Sequence, residues 1–179
     1  MYKVSTEALI KFEQGYLQEG FLLHLFDVFK SYCFMEEPGR RVDLNGPRKG
    51  LTLWFKTFSH YSFTAIWSLF YKQCEGKVIK TIHKGLVLNH LTPLGLAYWV
   101  MGDGSLHRKT MILHTQSYTK PENIILSEEL NTKFGFTTEV ISHKEKYFCV
   151  KFNSKDALLL HNLIKPYMHS SMAYKIPKV

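Results

Sequence analysis

The chain has 179 residues, 45% hydrophobic and 15% aromatic, which gives it apolar area to bury and excludes disordered, collagen-like and low-complexity classes. Lys plus Arg total 23 against 15 Asp plus Glu, and the net charge of +8 points to a polyanionic partner, against the plainer reading of a basic solvated surface. No run reaches the roughly 18 apolar residues of a membrane span, no basic-then-apolar leader opens the chain, and Cys33, Cys74 and Cys149 lack the spacing of a disulfide framework or a zinc knuckle, which fits a reducing compartment.

In chain order, the pattern predicts a strand over Ala8–Gln14 and a helix over Glu19–Phe34. A hairpin of Arg40–Leu44 and Leu51–Thr57 follows, turning through Asn45-Gly46-Pro47, and then a helix over Phe63–Phe70 with Ser59 at its entry. After a nearly apolar helix that begins at Thr92-Pro93, the same order returns. Strand Thr110–Gln116 leads to helix Pro121–Phe134, strands Thr137–Ser142 and Lys146–Phe152 around His143-Lys144-Glu145, and helix Ala157–Ile164 with Ser154 at its entry. Ser59 matches Ser154, and Lys80 matches Lys175, at an offset of 95; Gln14-Gly15-Tyr16 matches Gln116-Ser117-Tyr118 at 102. The expected class is therefore α/β (α+β): antiparallel sheets flanked by helices, duplicated about a pseudo-twofold axis, with repeats over 1–90 and 91–179.

The segment from Leu91 to Ser105 carries the most information. Thr92 suits an N-cap and Pro93 the first helical position, and the residues that follow are apolar or small, as for a helix buried all round. Gly95, Ala97 and Gly102 leave room for a second backbone. The helix ends in Asp103-Gly104, a carboxylate at the negative end of a helix dipole, which asks for a cation; Asp-Gly as a simple turn is the other reading.

This segment resembles the signature helix of the LAGLIDADG homing endonucleases, residue type by residue type from Leu94 to Gly104. Leu113-His114-Thr115-Gln116-Ser117-Tyr118, Leu163-Ile164-Lys165-Pro166-Tyr167 and Met172-Ala173-Tyr174-Lys175-Ile176-Pro177 resemble the second repeat of the two-motif organellar enzymes. Phe12 to Phe58 and Lys80-Thr81-Ile82 are similar to the remainder of the first. The resemblance implies the duplicated fold of that family and a metal-binding, catalytic role for Asp103, with Mg²⁺ as the cofactor if the chain is catalytic. It further implies that Lys80 and Lys175 are the basic residues near the metals and that Gln116 is a polar neighbour of the solvent pocket. Read as residues alone, Lys80 and Lys175 could equally be phosphate contacts or surface lysines, and Gln116 an ordinary strand residue. Candidate backbone contacts on the nucleic acid are Arg40, Arg41, Arg48, Lys56, Arg108, Lys144, Lys146 and Lys151.

One departure shapes the functional expectation. Counting back from Gln14 as Asp103 precedes Gln116 lands on residue 1, so the first repeat is expected to be truncated, without its motif helix and its acid. The first expectation is then a nucleic-acid binder that does not cleave alone, acting on structured RNA as an intron splicing factor or an organellar ribosome component. The alternative is an active homing endonuclease that makes a double-strand break in DNA, its first motif supplied by a second polypeptide. A basic module with a chance motif is the third reading. The resemblance places the protein in a mitochondrion or plastid, with no membrane partner.

Overall fold

The computed structural model describes residues 1–4, 6–43, 50–143 and 146–178. Two compact units result, Met1–Ser68 and Leu69–Val179. Compactness thus divides the chain inside a helix, earlier than the repeat boundary after residue 90, because the segment from 69 to 90 packs with the second unit.

In the first unit, β1 (Tyr2–Val4) pairs with β2 (Glu7–Leu9), and β3 (Lys11–Gly15), β5 (Gly50–Lys56) and β4 (Gly39–Asp43) form an antiparallel sheet in the order β3-β5-β4. Helix α1 (Glu19–Phe29) lays Phe21, Leu22, Leu25 and Phe26 on one face of this sheet, the i, i+4 stripe of an amphipathic helix. Phe12 stacks on Phe55 with centroids 4.6 Å apart, and Phe26 meets Phe55 edge-on at 5.2 Å. Helix α1 is shorter than the sequence predicts. A 3₁₀ turn over Lys30–Tyr32 ends it, and the Tyr32 carbonyl accepts the Phe58 N–H at 2.8 Å, while its ring packs against Phe58, His60 and Phe63. Tertiary contacts here outweigh helix propensity. At the start of α2 (Tyr61–Phe70) it is His60, rather than Ser59, that serves the entry: its carbonyl accepts from Phe63 and Thr64, and its Nδ1 from Ser62.

The second unit begins with the hairpin β6 (Tyr71–Cys74) and β7 (Lys77–Lys80), then α3 (Leu86–His90) and α4 (Pro93–Asp103). Its sheet joins β8 (Gly104–His107), β9 (Thr110–Leu113), β10 (Glu139–His143) and β11 (Tyr147–Phe152) in the antiparallel order β10-β11-β9-β8, with α5 (Lys120–Phe134) and α6 (Ala157–Ile164) completing the core. Leu96, Ala97 and Val100 of α4 meet Met111, Leu113, Val150 and Phe152 of the sheet, and Leu126, Leu130, Leu160 and Ile164 of the other helices. Asn153, one residue before the expected Ser154, caps the chain into α6, and it does so reciprocally with Asp156. The two hairpins foreseen around residues 45–47 and 143–145 are present as paired strands; most of their turn residues lie outside the described ones.

The duplication is visible in register. Tyr2 pairs with Leu9 as Ser105 pairs with Ile112, both members displaced by 103, so β1-β2 repeats β8-β9. One sequence correspondence fails. Gln14 follows Phe12 onto the helix-covered face of its strand, whereas Gln116 hydrogen-bonds to His114 on the open side. Ile10 interrupts the first strand between β2 and β3, and a shift of a single position carries every side chain to the opposite face.

Helix α5 braces the second unit. Thr119 and Glu122 form its capping box, and Gly135 closes it in the left-handed region at φ 76°. Glu122 also accepts from Thr81 Oγ1 at 2.7 Å and the Ile82 N–H at 3.0 Å, and buried Glu129 accepts the N–H groups of Gly85, Val87 and Leu88 at the start of α3. Burial alone would raise the Glu122 carboxyl, but these donors outweigh it and hold it down at about 2. A carboxyl depressed on folding stabilises above its unfolded value and loses that contribution as pH falls toward its folded one. Glu122→Gln should therefore cost about 1–2 kcal/mol at pH 7 and flatten the acid limb of a denaturation-midpoint profile between about pH 4.5 and 2, measured by urea titration.

Candidate active site and nucleic-acid face

Asp103 is carried to its place by helix α4. Thr92 caps the start, its hydroxyl accepting the Gly95 N–H at 3.1 Å, with Pro93 in the first turn as the sequence predicts. The exit is fixed by Gly104, whose N–H closes on the Val100 carbonyl; a Cβ there would lie 2.5 Å from that oxygen. Burial is one-sided, which corrects the expectation of a helix enclosed all round. Leu96, Ala97, Val100 and Met101 are buried, whereas Leu94 is 48% exposed and nothing lies within 4 Å of where a Gly102 Cβ would be. The small residues divide accordingly: Ala97 is taken up by the core of this unit, a Gly95 Cβ would meet Leu91 at 3.2 Å, and Gly102 lies on the open face with Leu94.

Two lysines serve the negative end of α4. Lys175 Nζ donates to the Met101 carbonyl at 2.7 Å and reaches the Val100 carbonyl at 3.5 Å, neutralising the helix terminus directly. Lys80, at the end of β7, holds its Nζ over the Tyr118 ring, 5.0 Å from the centroid. The surrounding protein strips water from Asp103 and lifts its carboxyl above the ordinary range, although the residue remains open to solvent by area. Lys80, Lys175 and His114 pull it the other way. For Lys80, loss of water lowers the ammonium's pKa, but the Tyr118 hydroxyl, Tyr71 and Asp103 more than offset it and keep the group charged. For Lys175 the burial prevails over Asp103 and its pKa falls.

Asp103, Lys80 and Lys175 thus come together from α4, β7 and the C-terminal 3₁₀ turn. Gln116 joins them through His114: its amide meets His114 Nδ1 at 2.9 Å, His114 Nε2 meets Ser105 Oγ at 2.9 Å, and the His114 N–H donates to the Asp103 carbonyl. His114, Ser105 and Tyr118 were not singled out from sequence. Strict alternation in Leu113-His114-Thr115-Gln116, with Leu113 and Thr115 buried, is the signal that would have placed His114 and Gln116 on one open face.

The basic candidates divide between faces. Arg41 lies on the open side of the first sheet, bonded to Glu13, which Lys11 also holds; Trp54 covers Gly39 there, where a Cβ would meet its ring at 2.8 Å. Arg40 points to the helix side and pairs with Glu19 at 2.9 Å. Lys56 is exposed at the end of β5. On the second sheet Lys151 bonds to Glu139 at 2.7 Å on the open face, Lys146 is exposed just before β11, and Arg108 sits in the β8–β9 turn at φ 57°. Arg48 and Lys144 lie outside the described residues.

Asp103 is a hard oxygen ligand, and among the described residues no group of three or more His, Cys, Asp or Glu could enclose a metal. That donor set fits Mg²⁺, which is commonly held by one or two carboxylates with substrate phosphates, and does not fit a closed protein cage.

Comparison with known proteins identifies the family and the fold. The profile of the LAGLIDADG DNA endonuclease family matches residues 2–160. "Probable intron-encoded DNA endonuclease 3" of Mycosarcoma maydis is 57% identical over 127 residues, 70% of this chain and 93% of that protein. "Cytochrome b mRNA maturase bI2" of Saccharomyces cerevisiae is 31% identical over 176 residues, 93% of this chain but 41% of the relative. A solved structure, "The homing endonuclease I-WcaI bound to its DNA recognition sequence", superposes with a TM-score of 0.86 at 30% identity, over 99% of this chain and 80% of that one. The chain belongs to the LAGLIDADG homing endonuclease family.

Because the Asp103 carboxyl has a raised pKa in the folded state, its ionisation weakens the fold as pH climbs past the unfolded value. Asp103→Asn should therefore keep or raise the thermal midpoint at pH 7 in metal-free buffer, and the gain should vanish below about pH 4, as read by calorimetry.

Proposed function

We propose that the chain binds duplex DNA through the open faces of its two sheets and, joined by a second acidic helix, cuts both strands with Mg²⁺. The observation that carries this reading is Asp103 set at the tip of α4 between Lys80 and Lys175, in line with an open sheet face bearing Lys151, Ser105 and His114. Hydrolysis forms a bond from water to phosphorus, releases one water proton to solvent and breaks one P–O bond, leaving negative charge on the departing oxygen. Lys80, over the Tyr118 ring, would offset that charge, and Lys175, donating to the Met101 carbonyl, would hold the helix terminus that carries Asp103. Mg²⁺, when bound, would lower the pKa of water and steady the leaving oxygen.

These 179 residues supply one such carboxylate. The face of α4 that carries Leu94 and Gly102 is open in this unit, and a second helix of this kind would pack there. The partner is therefore an apolar helix ending in Asp or Glu, contributed from outside these residues by a second polypeptide or by the same one. Similarity to intron-encoded endonucleases and to a cytochrome b mRNA maturase supports an organellar, most simply mitochondrial, setting.

The maturase similarity also favours a second reading: binding to structured RNA without cleavage, in intron splicing or in an organellar ribosome. The two separate in one experiment. A copy of residues 93–103 is fused ahead of Met1, and the fusion and the native chain are incubated with a randomised duplex library and with structured RNA. On the DNA reading the fusion cleaves a subset of duplexes with Mg²⁺, Asp103→Asn lowers the rate on the order of 10²-fold or more, and log affinity falls with log salt by roughly 0.9 per phosphate contacted. Tight RNA binding with no cleavage by the fusion would replace it with the second reading.

A further inference from the structure

The β6–β7 hairpin has no evident part in holding the fold. Every residue from Lys72 to Lys80 is exposed, with Val78 at 56% and Ile79 at 43%, and the hairpin forms a two-stranded sheet of its own. Two-stranded hairpins are marginal in water, and one that displays valine and isoleucine to solvent gains little from folding alone. Its charge is lopsided: Lys72, Lys77 and Lys80 against Glu75.

Its register is tightly fixed. Cys74 pairs with Lys77 across a two-residue turn in which Glu75 (φ 50°) and Gly76 (φ 76°) both occupy the left-handed region, the geometry of a twisted, well-defined hairpin. Tyr71 lies opposite Lys80, and Gln73 opposite Val78; these four share one face, while Lys72, Cys74, Lys77 and Ile79 share the other. Which face looks where is settled by Lys80, whose ammonium lies over the Tyr118 ring, 5.0 Å from its centroid, on the side of Asp103. Gln73 and Val78 therefore continue the catalytic face outward, about 7 Å beyond the Tyr71–Lys80 pair, a span of roughly two base pairs along a duplex.

We propose that the β6–β7 hairpin is a DNA-binding arm. Its Gln73–Val78 face rests on the duplex beside the scissile phosphates, and the long, exposed side chains of Lys72 and Lys77 reach round the strand edges from the other face to the phosphate backbone. The inference rests on the reading that duplex DNA lies against Asp103, and it commits to DNA because the exposed pair joins an amide to a small apolar side chain. An amide can donate to base acceptors and a valine can contact sugars or base edges, whereas a bare lysine arm would fit any polyanion.

The test uses the full chain with a photoreactive benzoylphenylalanine at position 78 or, as the opposite-face control, at 79. Each variant is irradiated with mixed-sequence duplex DNA at low salt, alongside Lys72→Glu/Lys77→Glu. Position 78 should crosslink several-fold more than position 79, and the double charge reversal should lower the salt slope by about 2. All variants should melt like the parent, because the altered residues are exposed. Equal or absent crosslinking at 78 with parent affinity for duplex retained would overturn the arm and leave the DNA reading standing. Failure of the unmodified chain to bind duplex at all, or crosslinking to structured RNA alone, would overturn both.

Discussion

A carboxylate at the C-terminal end of an apolar helix faces a row of unpaired carbonyls, and the second unit is organised around relieving that conflict. Lys175 does so by donating to the carbonyls of Met101 and Val100, and Lys80 by standing within range of the acid while tied to Tyr118. The relief is incomplete. Asp103 still holds its proton more tightly than a free carboxyl, because loss of water outweighs the pull of Lys80, Lys175 and His114.

Precision at that tip depends on groups far from it in sequence. The N-terminal turn of α5 grips the end of β7 twice: Tyr118 takes the Lys80 ammonium, and Glu122 takes the Thr81 hydroxyl and the Ile82 N–H. One turn after another, α5 then fixes α3 through Glu129. Helix α5 thus serves as the frame on which the end of β7 and the start of α3 are held. The hairpin that carries Lys80 is left free to extend along a ligand, since its own strands bury almost nothing.

The family resemblance on residues 94–104, and the capped helix with its aspartate, were legible because each is local. Caps, glycines and apolar runs act within one or two turns. The duplicated strand order was legible for the same reason, since period-2 and period-3.6 patterns survive in each half. Gln14 marks where that method stops. An interruption at Ile10 shifts the strand by a step, and a correspondence that looks sound in letters places the two glutamines on opposite faces.

What the sequence alone determined about this protein is its class and its acid: an α/β duplicated fold and one aspartate at the end of a small-residue helix, both set by short-range sterics and capping. Only the tertiary structure decided the company that acid keeps. The family resemblance had already put Lys80 and Lys175 near it; His114, Ser105 and Tyr118 come from other elements, and their convergence depends on how hydrophobic burial docks helices on a sheet. The same is true of Arg40 and Arg41. They are neighbours in the chain, but pleating sends one to a helix and the other to the open face, where a nucleic acid would lie.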